Sequence, residues 1–366
     1  MDFDYSEEQR LLFDLIDRFG AANYPAAGRE PMLADLAVGD RRRWDELVDL
    51  GVLALAVPEH EGGMGGSATD VMAVMEAFGR HLIPEPYVSS CVLAPALLAG
   101  TGHGATLTAI TDGSAIVAAA LIEAESGFAL DRIETRAEPA SDGWRLTGAK
   151  THVEDGGGAD IFLVSAWTGD GIGLFRVPAG APGLTVMRAR SIDHHRHARL
   201  RLDGVTLGAD AIVGEVGGAL PRIEAAVDRA ICGHLAEAVG SMDALVAMTL
   251  DYLKTRHQFG VAIGSFQALQ HKIVDMAIAA EEARSMAYHA TLHLDRPPAE
   301  RRRAVAAGKA RVGQCGLFVG RQAVQLHGGV GVTAELIVSH HLQRLMMIDL
   351  AHGDSAHHVR RFAEAA

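Results

Sequence analysis

The apolar positions change period twice along the chain. Over roughly the first 110 residues they recur at helical spacing. Leu12, Leu15, Ile16 and Phe19 share one face, and Ser6 with Gln9 supplies the reciprocal pair of a capping box at the start of that helix. Residues 44–55 read as a second amphipathic stretch, and the loop Pro58-Glu59-His60-Glu61-Gly62-Gly63-Met64-Gly65-Gly66 follows. So many glycines indicate either close backbone approach or a mobile loop. From about 114 to 217 the pattern becomes short strands, at 115–122, 144–146, 161–165, 173–177 and 199–202. The turns Asp142-Gly143, Gly169-Asp170-Gly171 and Asp203-Gly204 separate them, which predicts an antiparallel sheet. After Gly217-Gly218 the helical period returns: Leu269, Ile273, Met276 and Ala280 form one stripe, and Pro297-Pro298 divides two long helices. The chain is therefore predicted to be α+β, divided at 1–112, 113–217 and 218–366.

Composition narrows the classes. A chain of 366 residues, 49% hydrophobic, can bury several cores. The net charge of −13, with no basic run longer than Arg41-Arg42-Arg43 or Arg301-Arg302-Arg303, argues against a nucleic-acid partner. Cys91, Cys232 and Cys315 are odd in number and lie in apolar surroundings, which suits free thiols in a reducing compartment. The opening Met1-Asp2-Phe3-Asp4 has no positive region, and apolar runs such as 115–122 are too short to span a bilayer. The expectation is a cytoplasmic protein with no membrane partner. His194, His195 and His197 cluster, as do His340, His341, His352, His357 and His358, but without the spacings of a zinc site, so no metal is expected.

Two blocks carry candidate chemistry. The first runs Tyr252-Leu253-Lys254-Thr255-Arg256-His257-Gln258-Phe259-Gly260 and continues through Ile263-Gly264-Ser265-Phe266-Gln267 to His271-Lys272 and Asp275-Met276. The second is Gln325-Leu326-His327-Gly328-Gly329-Val330-Gly331. A planar guanidinium beside a turn rich in N–H groups suits a pyrophosphate, and glycines let a nucleotide lie against main chain. Singly, Arg256 could equally be half of a surface ion pair, and Gly328-Gly329 a helix C-cap followed by a tight turn. Jointly, in this order and spacing, the blocks resemble the signature of acyl-CoA dehydrogenases. The resemblance extends to Asp4-Tyr5-Ser6-Glu7-Glu8-Gln9 and to the Gly62-Gly63 loop. Within that family the chain is similar to small subunits of pimeloyl-CoA dehydrogenase-like enzymes, whose ends read like Met346-Met347-Ile348-Asp349, Gly353-Asp354 and His357-His358. The resemblance implies an N-terminal helical domain, a middle antiparallel β domain and a C-terminal four-helix-bundle-type domain. It also implies FAD, an acyl-CoA substrate desaturated at its α,β bond, and an electron-transfer flavoprotein as acceptor. By the same resemblance Arg256, Gln258, Phe259, Gln325, Leu326, Gly328 and Gly329 would reach across a subunit interface. There they would hold the pyrophosphate and adenine end of the neighbour's FAD.

The chain departs from the family at the chemical centre. The reaction needs a carboxylate base whose pKa is raised by desolvation. Aligned on Gly353-Asp354, the usual glutamate position holds His352, and the alternative position holds Ala230. His352 is a formal candidate base, set against a surface or interface histidine beside His357 and His358. After Lys150 the flavin-facing strand reads Thr151-His152-Val153-Glu154-Asp155, placing Glu154 where a hydroxyl would donate to flavin N5. The preceding loop is reduced to Ile122-Glu123-Ala124-Glu125-Ser126-Gly127-Phe128. The half of the site a protomer supplies to its own flavin is eroded, while the half it lends is kept. That predicts an α2β2 assembly with a large catalytic subunit. The alternatives are a self-sufficient homotetramer with a displaced base and a flavin-free structural subunit.

Overall fold

The computed structural model describes residues 5–26, 29, 33 and 41–364. The opening Met1-Asp2-Phe3-Asp4 lies outside them. Helix α1 (Glu7–Asn23) starts as its sequence dictates: Gln9 N donates to Ser6 Oγ at 3.2 Å and Ser6 N to Gln9 Oε1 at 3.1 Å. Ile16 and Phe19 are its buried face. The stretch expected over 44–55 is a shorter helix, α2 (Arg42–Asp49), because Gly51 turns left-handed at φ 76° before a 3-10 turn at Val52–Ala54. The loop 58–66 is closed on itself. A Cβ on Gly63 would stand 2.1 Å from Val57 O, so close approach explains that glycine, while Gly62 makes a left-handed turn at φ 88°. Helix α3 (Ala68–His81), a π-helical segment (Val88–Leu93), α4 (Ala94–Leu98) and α5 (Gly104–Thr111) complete this region.

The middle of the chain forms a seven-stranded sheet: β1 (Val117–Ala120), β2 (Arg136–Ala140), β3 (Gly143–Glu154), β4 (Ile161–Trp167), β5 (Ile172–Pro178), β6 (Leu184–Arg190) and β7 (Arg196–Gly208). The order is β1-β4-β2-β3-β7-β6, with β5 on β4. The expectation of a wholly antiparallel sheet needs correcting, because β4 runs parallel to β1 and, at one pair, to β2. The connection from β1 to β4 contains the β2–β3 hairpin, long enough to return the chain in the same direction. Phe162, Phe175, Leu146 and Leu200 centre its core. Trp44 Nε1 donates to Gly113 O, and Ser90 Oγ accepts from Val117 N, fixing α2 and the π segment to this layer.

The carboxy-terminal part contains α6 (Leu220–Thr255), the two-residue strands β8 (His257–Gln258) and β9 (Val261–Ala262), then α7 (Gln267–Leu292), α8 (Pro298–His327), α9 (Ile337–Leu350) and α10 (Ser355–Glu364). Pro298 opens α8 at a position where its missing N–H costs nothing. Helix α6 is long and apolar enough to cross a membrane, but 72% of its most apolar window is buried inside the protein, as in a core helix.

In space the chain forms two compact units. One comprises Met1–Met32, Ala68–Pro84 and Ile231–Ala366, and the other Leu33–Ser67 and Glu85–Ala230. In the first, Arg344 clasps the buried Glu237 with bonds of 2.5 and 2.7 Å, and His234 lies 3.4 Å from the same carboxylate. Burial alone would raise Glu237, but the guanidinium prevails and holds it near about 2. It is a structural anion, not a base.

Candidate functional site

The last turn of α6 delivers Arg256 to a hairpin. His257 pairs with Ala262 and Gln258 with Val261, leaving Phe259-Gly260 as a two-residue turn with φ of 55° and 81°. Positive φ at both positions is the geometry whose twist matches paired strands. Glycine adopts it freely, whereas Phe259 does so at a cost of about 1 kcal/mol or more. The Phe259 ring is 90% exposed and meets Phe266 edge-on at 6.1 Å. Ile263 N donates to Arg256 O and Gln270 Nε2 to Gly264 O, closing the hairpin onto the start of α7. Arg256 and Gln258 are exposed, and among the described residues their side chains make no hydrogen bond or ion pair.

The second block ends α8. Leu326 is buried and anchors the helix, while Gln325 is exposed. Gly328 takes φ 67° and ψ −146°, a region essentially closed to residues with a Cβ. A Cβ built on Gly328 or Gly329 would meet nothing within 4 Å, so both present bare main chain to open space. The 3-10 turn Gly328–Val332 then folds back on the helix, where a Cβ on Gly331 would stand 2.6 Å from Val324 O. The two blocks touch: the Tyr252 ring stacks on His327 at 4.4 Å and 28°, and Tyr252 OH donates to His327 O at 3.4 Å. The structure thus sets Arg256, Gln258 and Phe259 at one hairpin and Gln325, Leu326, Gly328 and Gly329 at one helix end, the two blocks meeting through Tyr252 and His327.

His352 lies in the turn between α9 and α10 at φ 56°. Its carbonyl accepts from His358 Nε2 at 3.0 Å, and Lys309 Nζ, fully buried, donates to Ile348 O and Asp349 O at the end of α9. Burial and the nearby Lys309 charge push His358 down to about 3. Ala230 is buried within α6, so neither family position offers a carboxylate.

The other unit carries Ile122–Phe128 and the end of β3. Glu123 is buried and accepts from Lys150 Nζ at 2.7 Å, Glu134 N at 2.6 Å and Thr135 N at 3.1 Å. Burial pulls Lys150 down to about 8 against the attraction of Glu123. Ser126 Oγ is turned inward, donating to Glu123 O at 2.9 Å and accepting from Glu123 N. Between Lys150 and Val153 the β3–β7 register slips at a bulge, where the exposed His152 takes φ 51°. Glu154, opposite His197, precedes Asp155, whose Oδ2 accepts from Ser89 Oγ at 2.6 Å. Burial, reinforced by Glu154, raises Asp155 to about 6. Sequence reasoning overlooked Asp155 and Lys309, which carry no motif and acquire their environments only by folding.

The chain runs helices, a sheet and helices, with an arginine-bearing hairpin whose preceding helix meets the residue before a bare glycine turn. Three family profiles match in order: the acyl-CoA dehydrogenase N-terminal domain at 6–103, the middle domain at 118–205 and the C-terminal domain at 222–366. The chain is 30% identical to acyl-CoA dehydrogenase FadE27 of Mycobacterium tuberculosis, over 99% of this chain and 97% of that protein. Its fold is similar to a chain of the ChsE4-ChsE5 complex from the same organism, with TM-score 0.90 and 29% identity over 100% of this chain and 98% of that one. It is likewise similar to a chain of the Tcur3481-Tcur3483 steroid ACAD, with TM-score 0.89 and 29% identity over 98% of this chain and 97% of that one. The chain belongs to the acyl-CoA dehydrogenase family, oxidoreductases acting on acyl-CoA thioesters.

Proposed function

We propose that this chain is the small subunit of an FAD-dependent acyl-CoA dehydrogenase, lending the pyrophosphate and adenine half of an FAD site to a larger catalytic partner in an α2β2 assembly. The observation that carries the reading is the contrast between its two halves. The guanidinium of Arg256 is uncommitted among the described residues, and with the amides of Gln258 and Gln325 and the bare glycines 328 and 329 it would make a cradle for a diphosphate. Around β3 the fit fails. Ser126 is spent on its own loop, and Glu154 offers an acceptor where a donor is needed.

FAD, when bound, accepts the hydride from the substrate β-carbon. This chain's part is electrostatic and positional. Arg256 neutralises phosphate charge, Gln258 and Gln325 supply amide donors, and Gly328 and Gly329 admit close approach of main chain. The α-proton is left to a carboxylate of the partner. The ChsE4-ChsE5 assembly, a complex of two different chains, supports the heteromeric arrangement, and the steroid ACAD supports a long or ring-bearing acyl group. An electron-transfer flavoprotein as acceptor and a cytoplasmic setting, in keeping with three buried free cysteines, belong to the same reading. Domain boundaries at 112/113 and 217/218 fall in the gaps between the three profile matches.

The test is to express the chain alone and together with a catalytic-type large subunit, then compare FAD per protomer and native mass. Little flavin alone, one FAD per heterodimer together, and loss of FAD on Arg256→Ala are expected. A fully flavinated, active homo-oligomer of this chain would falsify the reading, and His352→Ala would then test the displaced base.

A further inference from the structure

Gly328 follows Arg256 by 72 positions, yet a diphosphate cradle requires the hairpin and the glycine turn at one fixed distance. The Tyr252–His327 contact bears directly on that distance. Tyr252 is tied forward to Arg256, whose N–H donates to Tyr252 O at 2.9 Å. His327 is the last residue of α8, next to Gly328, and is buried. Its Nδ1 lies 2.8 Å from Ala323 O. A carbonyl can only accept, so Nδ1 carries the proton and the ring is held to its own helix. The two rings stack at 4.4 Å and the phenol hydroxyl donates to His327 O, so both the ring and the backbone of His327 are engaged by one side chain. A stack fixes separation and a hydrogen bond fixes rotation about it.

We infer that Tyr252 and His327 form the joint that sets the spacing of the two halves of the cradle, acting as positioning residues for the diphosphate of a dinucleotide cofactor. The inference rests on the small-subunit reading and deepens it. Neither residue is among those proposed to touch the cofactor. Both act through Arg256 on one side and Gly328-Gly329 on the other. The phenol hydroxyl is secondary: at 3.4 Å its bond is long, and the stack carries the register.

The experiment compares Tyr252→Leu, Tyr252→Phe and His327→Leu in the full chain co-expressed with the catalytic partner, alongside Arg256→Ala. Amide hydrogen exchange is read over 256–266 and 328–333, and FAD affinity by titrating the stripped complex with FAD. Tyr252→Leu should speed exchange in both segments and weaken FAD by about tenfold, the equilibrium equivalent of one aromatic pair. Tyr252→Phe, which keeps the stack, should restore both. His327→Leu approaches the joint from the opposite helix and should reproduce the Leu result, which covers a failure of Tyr252→Leu to fold. Loosening confined to the hairpin overturns the joint. So does loosening of both segments with FAD affinity unchanged while Arg256→Ala loses FAD, an outcome that leaves the small-subunit reading standing. FAD retained in Arg256→Ala removes that reading, and the joint's role with it.

Discussion

Asp155 is a carboxyl group with little support for a negative charge. It is 4% exposed, and among the described residues Oδ1 has no hydrogen-bond partner while Oδ2 accepts from Ser89. Its neighbour Glu154 adds repulsion, against the weaker pull of Arg196 and His197, so it ionises near about 6 rather than 3.8. The folded state therefore holds a proton that the unfolded chain has released between those values. Stability from this group is complete below pH 3.8 and is lost as pH rises through 6. Above that, the buried charge costs about 2–3 kcal/mol. Asp155→Asn keeps an acceptor for Ser89 and removes the charge. It should stabilise the protein by about that amount at pH 8, the gain shrinking as pH falls from 6 toward 4. Urea midpoints at several pH values check this, and a gain independent of pH would contradict the raised pKa. The altered position was legible as Glu154, the residue standing where the family has a hydroxyl. Burial of the next residue was not, because it depends on Ser89, 66 positions earlier.

At the scale of elements, what the sequence announces is local chemistry. The Ser6–Gln9 box, the Pro298 start and the Asp142-Gly143 hairpin turn are each decided within a few residues, and each appears where its chemistry requires. Strands β2 and β6 were missed for a physical reason. β2 carries Arg136, Glu138 and Pro139, and β6 is an exposed edge bearing Arg188 and Arg190, so neither shows the apolar alternation that marks a half-buried strand. Helix crossings are also illegible. Gly240 reads as an ordinary helical residue, yet a Cβ there would stand 1.8 Å from Glu76 O, and one on Gly79 would stand 1.8 Å from Glu237 O. The backbones of α3 and α6 touch at both points. Neither main-chain oxygen can move aside without breaking its own helix, so Gly240→Ala should cost about 3 kcal/mol or more. A thermal melt will show it, and an unchanged transition would mean that the two helices do not cross this closely.

At the scale of the whole molecule, the seven residues proposed to face the cofactor are carried by two motifs, whereas the groups governing response to acid are carried by none. His341 is fully buried, pushed to about 3 by burial and by Arg29, His340 and His81, with Ser241 Oγ 2.8 Å from its Nδ1. His358 lies near 3 for similar reasons, and Glu237 near 2 in the grip of Arg344. All three belong to the unit containing Ile231–Ala366. An unfolded histidine takes up its proton near 6.5 and the folded one only near 3, so each histidine withdraws stability as pH falls between those values. The slope is about 1.4 kcal/mol per pH unit per group, or roughly 2.7 for the pair. Glu237 acts in the same direction below about 4.5, the stability it contributes above that value being lost toward pH 2. Asp155, in the other unit, acts in the opposite direction over part of the same range. The acid transition should therefore begin in the helical unit. Hydrogen exchange at pH 5 should deprotect α8 and α9 before the amides of β4 and β7, and simultaneous loss in both units would show that these histidines do not govern the transition.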